Sequence, residues 1–168
     1  MLEQIINYIQ DVSKKHILVN STKYQSRINI NQQANNRYFQ VVVEDDIFIE
    51  QTLQTNVMKM TLNLNVLGFP TKEKDVLKIQ SEALQVGVEI IRYIDKDVTF
   101  QNRINIVDYS FMSLSEFTDD RCCGQRITIE MNIPNPLNLC DYERHFVDKE
   151  EVDTENVDRE ITLKPIRL

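Results

Sequence analysis

Glycine, alanine and tryptophan are what this chain most lacks: its 168 residues include three glycines (Gly68, Gly87, Gly124), two alanines (Ala34, Ala83) and no tryptophan. Doubly wound cofactor-binding folds build their phosphate sites on glycine-rich strand-to-helix turns, and three scattered glycines cannot supply one. Three cysteines, two of them adjacent (Cys122, Cys123), are odd in number and unevenly spaced, which argues against a disulfide framework and predicts a reducing compartment. No apolar run approaches the ~18 residues of a membrane helix. The leading Met1-Leu2-Glu3-Gln4 carries no cationic leader, so neither a membrane span nor a standard secretion signal is expected. What the chain does have is 42% apolar and 27% charged residues, with much isoleucine and asparagine. That is enough for one domain with a core of its own and too little for two large ones.

The formal charge is −7, and it is unevenly placed. Residues 141–168 hold nine acids against five bases, leaving only −3 for everything before them. There is no basic stripe of the kind that displaces counterions from nucleic acid, so sequence-specific DNA or RNA binding is not expected. The charge break, together with Pro134-Asn135-Pro136, divides the chain into an expected α+β domain at 1–134 and an extended acidic C-terminal arm at 135–168.

Within the first part, Leu2, Ile5, Ile6, Ile9 and Val12 recur at helical spacing and predict an amphipathic helix over 2–15, closed by Lys14-Lys15-His16 at its C-terminus. Residues 16–37 read as loop with one short strand around Arg27–Asn31. From Tyr38 the period becomes two: Phe39, Val41 and Val43, a break at Asp45-Asp46, then Ile47–Ile49. Met58, Met60, Leu62, Leu64 and Val66 alternate with polar residues up to Gly68-Phe69-Pro70, the pattern of an antiparallel sheet with one buried face. A long helix is expected over 71–97, capped by Thr71, with Val76, Leu77, Ala83, Leu84, Ile90, Ile91 and Ile94 as its apolar stripe. Gly87 on that stripe predicts a close crossing. Two strands follow, Ile104–Phe117 with a bulge near Ile106-Val107 and Cys123–Ile133, joined at Thr118–Arg121. The expected fold is therefore α+β: an antiparallel sheet of two hairpins with a long helix packed on it, an N-terminal helix and an extended C-terminal arm.

Candidate chemistry is sparse. Of Cys122, Cys123, Cys140 and His145, only Cys140 and His145 have tolerable ligand spacing for zinc, since adjacent residues of a strand point to opposite faces, and ordinary packing cysteines are expected. Asp45-Asp46 and Asp119-Asp120 would have the oxygen ligands for magnesium if the two pairs converged, but aspartate is equally at home in hairpin turns, where both pairs are expected. His16 and His145 have no orienting acid or oxyanion-hole turn beside them for cysteine chemistry. Lys23, Tyr24, Arg27, Arg37, Tyr38 and Phe39 interleave basic and aromatic residues, as a nucleic-acid surface would and as a solvated loop entering a strand also does. No catalytic residue, cofactor or metal is assigned. Ile161, Leu163, Ile166 and Leu168 close the polar tail with apolar side chains, a pattern suited to adding a strand to another subunit's sheet edge.

The order helix, long hairpin, long helix, second hairpin, extended end, covering about residues 2–133, resembles the tail-terminator and head–tail connector (neck ring) proteins of tailed bacteriophages. The strand Met58–Leu67 with Gly68-Phe69-Pro70, the helical stretch Glu82–Ile94, and Asp119-Asp120-Arg121 running through Cys123-Gly124 to Asn135 carry the likeness. The resemblance implies a non-enzymatic virion structural protein: a subunit of a homo-oligomeric ring at the head–tail interface, contacting adjacent portal, connector or tail proteins. DNA would pass through its channel without sequence-specific binding, and an acidic wall suits that passage. Its implied location is the phage neck or tail, with host cytoplasm during assembly. Inter-subunit contacts are expected at Asp45, Asp46 and Phe48 in the long hairpin loop, at Asp119, Asp120 and Arg121 in the second hairpin tip, and at Ile161, Leu163, Ile166 and Leu168 in the arm. The arm is longer than the minimal family core. The alternatives are a metal-dependent phage nuclease using Asp45, Asp46, Asp119 or Asp120, and a host-directed binding protein.

Overall fold

The computed structural model describes residues 1–26, 38–51, 57–71, 74–97, 104–115 and 122–134, all within one compact unit, Met1–Pro134. Helix α1 (Leu2–Lys14) buries Ile5, Ile6, Ile9 and Val12, one side of the wheel as the spacing predicts. Ser13, also buried, returns its hydroxyl to the Ile9 carbonyl at 2.7 Å, which satisfies a donor that would otherwise be stranded. Strand β1 (Val19–Gln25) follows. It corrects the expectation of loop over this stretch; the short strand expected around Arg27–Asn31 lies outside the described residues.

The sheet is mixed, which corrects the all-antiparallel expectation. In its order β1-β2-β4-β6-β5, β1 runs parallel to β2 (Phe39–Glu44), whereas β2–β4, β4–β6 and β5–β6 are antiparallel. The physical reason is register. Thr22 and Tyr24 stand beside Val41 and Val43, so β1 extends the buried face of β2 without a hairpin between them. Strand β3 (Phe48–Gln51) continues the line of β2 along β4 (Val57–Gly68) after a break. The expected two-hairpin sheet is thus matched in part: β2 and β3 pair antiparallel with β4, and β5 (Asn105–Leu114) with β6 (Cys123–Pro134). They join through β4 and β6, whose pairing runs the full length from Val57↔Pro134 to Gly68↔Cys123.

Helix α2 (Val76–Lys96) starts at Asp75, whose side chain accepts from the Lys78 N–H. Thr71 is not the cap. Its hydroxyl and N–H close a preceding turn with Lys74, so the rod is shorter than expected, about 31 Å at ~1.5 Å per residue. Both helices lie on one face of the sheet and run antiparallel. Tyr8 meets Asp97 (2.7 Å), the Lys15 ammonium sits over the Tyr93 ring, and His16 meets Glu89 (2.8 Å).

The core fills the space between helices and sheet: Val41 and Val43 of β2, Met60, Leu62, Leu64 and Val66 of β4, Ile127, Ile129, Met131 and Ile133 of β6. Gly87 does mark a close crossing, since a Cβ there would come within 2.5 Å of Ile127 Cδ1 and 3.2 Å of Phe111. The bulge in β5 is also found, with Val107 the extra residue between Ile106 and Asp108. Cys123 belongs to this core, whereas Cys122 packs on the other side with Val42, Leu67 and Leu114, as neighbours on a strand must. Two residues of the expected helical stripe do not reach the core: Leu77 is 74% exposed and Leu84 is exposed as well.

Candidate assembly surfaces and the polar face of the sheet

Of the residues singled out in the sequence, Asp45, Asp46 and Phe48 are described, and Asp119, Asp120, Arg121, Ile161, Leu163, Ile166 and Leu168 lie outside the described residues, as do Cys140 and His145. Asp45 and Asp46 are not in the hairpin turn, a correction. They form the jog between β2 and β3, where the Ile47 N–H bonds back to the Asp45 carbonyl at 3.0 Å, a three-residue turn that steps the chain from one pairing register to the next. Phe48 emerges from this jog 60% exposed. It stands beside Thr61, while Ile49 stands beside Met60.

The face of the sheet opposite the helices carries a polar ladder that alternation alone does not reveal. Glu44 is fully buried there. Its Oε1 accepts from Asn65 Nδ2 at 2.7 Å and from Arg126 Nη2, and Arg126 Nε also reaches Asn65 Oδ1 at 3.3 Å. The other carboxylate oxygen, Oε2, has no hydrogen-bond partner among the described residues. One strand position along, Thr128 donates to Asn63 at 2.8 Å, and then Lys59 pairs with Glu130 at 2.6 Å, which holds the lysine above its usual range. The cue in the sequence was Asn63 and Asn65 on the wet phase of β4 opposite Thr128 and Arg126. The cross-strand register needed to join them was not legible.

Among the described residues β5 and β1 end the main path of the sheet, and β3, paired with β4 alone, leaves a further edge. On β5, Val107 is 53%, Tyr109 44% and Met112 49% exposed, and Tyr109 packs edge-on against Phe111. The helix above supports this edge, since Gln80 donates to the Leu114 carbonyl and to Ser115. Leu77 and Leu84 share the flank of α2 with Gln80 by helical spacing, so their exposed side chains continue the apolar strip beside β5. At the β1 end, Ile17, Leu18 and Tyr24 are exposed.

Of the titratable groups weighed for chemistry, His16 and Cys123 have described surroundings. His16 accepts the Leu18 N–H on Nδ1 and points Nε2 at Glu89. Gln85 and His16 together hold the Glu89 carboxyl below its ordinary range. Burial, with the neighbouring Cys122, pushes the Cys123 thiol up to about 11, away from nucleophilic chemistry. A small, open cleft has Phe39, Phe69 and Ile79 on its walls, with the Lys74–Glu82 pair at 2.5 Å beside them. Among the described residues no three His, Cys, Asp or Glu converge as metal ligands, and no helix is long and apolar enough to cross a membrane. No protein-family model matches the chain, and its sequence matches none of the curated proteins searched.

Proposed function

We propose that this chain is a non-enzymatic structural subunit that assembles with copies of itself, and that the assembly is a ring at the head–tail interface of a tailed bacteriophage. The observation that supports self-assembly is the mixed sheet, open at its β5 and β1 edges among the described residues and bordered at each by exposed apolar side chains, Val107, Tyr109, Met112 and Leu77 at one end and Ile17, Leu18 and Tyr24 at the other. Open edges of this kind pair with other chains unless they are blunted or covered. Apolar patches at two opposite ends of one molecule suit the head-to-tail contacts from which rings close. The virion setting rests on the resemblance in element order and on the stretches Met58–Pro70 and Glu82–Ile94. In this reading Phe48 on the exposed β3 and the acidic jog Asp45-Asp46 contact a neighbouring ring component, and the arm 135–168 reaches an adjacent subunit.

Mass spectrometry of purified particles tests the setting. The protein is expected among the virion components in multiple copies; its absence from particles made in cells that express it overturns the virion reading. Magnesium-dependent cleavage of DNA by the purified chain, lost on changing Asp45, Asp46, Asp119 and Asp120 to asparagine, would replace it with the nuclease reading.

A further inference from the structure

The direction of β1 decides how a second copy can extend the sheet. β1 is parallel to β2, and three antiparallel steps then lead through β4 and β6 to β5, so β1 and β5 run in opposite directions. A copy added to the edge in the same orientation therefore brings its β1 against β5 antiparallel, the pairing that needs no slanted hydrogen bonds. Had β1 been antiparallel to β2, the same addition would have been parallel.

The two edges also differ in charge. On the helix-free face of β1, Lys23 stands beside Val42 and makes no ion pair among the described residues. On the same face of β5, Asp108 stands beside Glu130 and accepts the adjacent Tyr109 N–H, while the nearby Lys59 is held by Glu130. Asp95, exposed, falls on the β5 flank of α2 with Leu84 by helical spacing. The β5 edge is thus apolar and acidic, and the β1 edge apolar and basic. A two-fold β5-to-β5 pairing would bring the acids together and leave β1 open.

We propose, building on the self-assembly reading above, that β5 of one copy pairs antiparallel with β1 of the next, in the register that sets Asp108 opposite Lys23. That register also sets Ser110 opposite Ser21 on the same face and Tyr109 opposite Thr22 on the helix face, so both faces of the sheet continue across the junction. The occupant of the β5 edge is a second copy of this chain.

Sedimentation velocity on the full chain tests this through Lys23→Asp, Asp108→Lys and the double swap. Each single change puts like charges in opposition and should raise the concentration for half-assembly about tenfold, and the double swap should restore it. A second measurement does not depend on charge. Ser21→Cys with Ser110→Cys should give a covalent ladder in oxidised glutathione that the wild type does not, because β1 and β5 of one chain are four strand spacings apart, roughly 19 Å, too far for an internal disulfide. An assembling wild type whose mass ignores both single swaps, with no ladder from the cysteine pair, overturns the β1–β5 junction and leaves self-assembly standing. A dimer that ignores Lys23→Asp points to β5–β5 pairing and overturns it too. A wild type that stays monomeric overturns the self-assembly reading and this inference with it.

Discussion

Replacing Arg126 by methionine should be among the most damaging single changes on the polar face of the sheet, and its damage should nearly vanish in the right background. Glu44 is fully buried and holds two donors, Asn65 and Arg126, on one oxygen and, among the described residues, none on the other. Removing one partner of a buried ion pair costs ~3–5 kcal/mol because the remaining charge is stranded. The Asn65 hydrogen bond at 2.7 Å survives, which places Arg126→Met near the lower end, about 3 kcal/mol. Glu44→Met takes the carboxylate from Arg126, which keeps its Asn65 bond at 3.3 Å and, with its side chain still 12% exposed, hydrates in part, so about 2 kcal/mol is expected. The double Met variant has no stranded charge. It leaves Asn65 short of partners, a cost of ~1–2 kcal/mol, against the sum of about 5 kcal/mol expected from independent sites. Urea unfolding followed by circular dichroism measures all four proteins by linear extrapolation. Losses that add to within ~0.5 kcal/mol would refute the coupling and with it the pairing described for this face.

Two further predictions rest on single contacts and a third on the proposed arm. Tyr8→Phe removes the bond to Asp97 and should cost about 1–2 kcal/mol at neutral pH. Burial, then the Asp97 bond, raises the Tyr8 pKa above its ordinary 10.0. A raised folded pKa gives stability that is whole below about pH 10 and lost above it, so the variant should lose less than the wild type in alkaline unfolding. An equal alkaline loss in both would count against the contact. Gly87→Ala gains ~1 kcal/mol of helix propensity but drives a methyl into Ile127, an overpacking cost of ~1–3 kcal/mol. Thermal unfolding should therefore show it neutral to destabilised, and a clear rise in Tm would mean the crossing is looser than described. Deleting Ile161–Leu168 should leave the folded unit intact by circular dichroism while weakening assembly; unchanged sedimentation would remove the arm from the interface.

Period and punctuation made much of this architecture legible. The strict alternation of Met58–Val66 and Ile127–Ile133 places the two central strands, because one face is buried and the other solvated. Gly87 announced the crossing with β6, and the phase change at Ile106-Val107 the bulge. What escaped was what depends on partners distant in sequence. β1 is short and polar, Val19–Gln25, and its strand character comes from lying beside β2, which local pattern does not encode. Leu77 and Leu84 have the chemistry of a buried stripe and lie off its centre, beyond the edge of the sheet. Asp45-Asp46 has turn composition but serves a jog, since β2 and β3 share β4 as partner. Glu44 reads as an ordinary wet-face acid until the register sets Asn65 and Arg126 beside it.

The central claim is that this domain assembles with itself through the open edges of its sheet, and native mass spectrometry across a range of protein concentrations tests it most directly. The account predicts a closed multiple of the 19.8 kDa chain larger than a dimer, formed cooperatively and weakened by changes at the β1 and β5 edges. A chain that remains at 19.8 kDa at every concentration would contradict it.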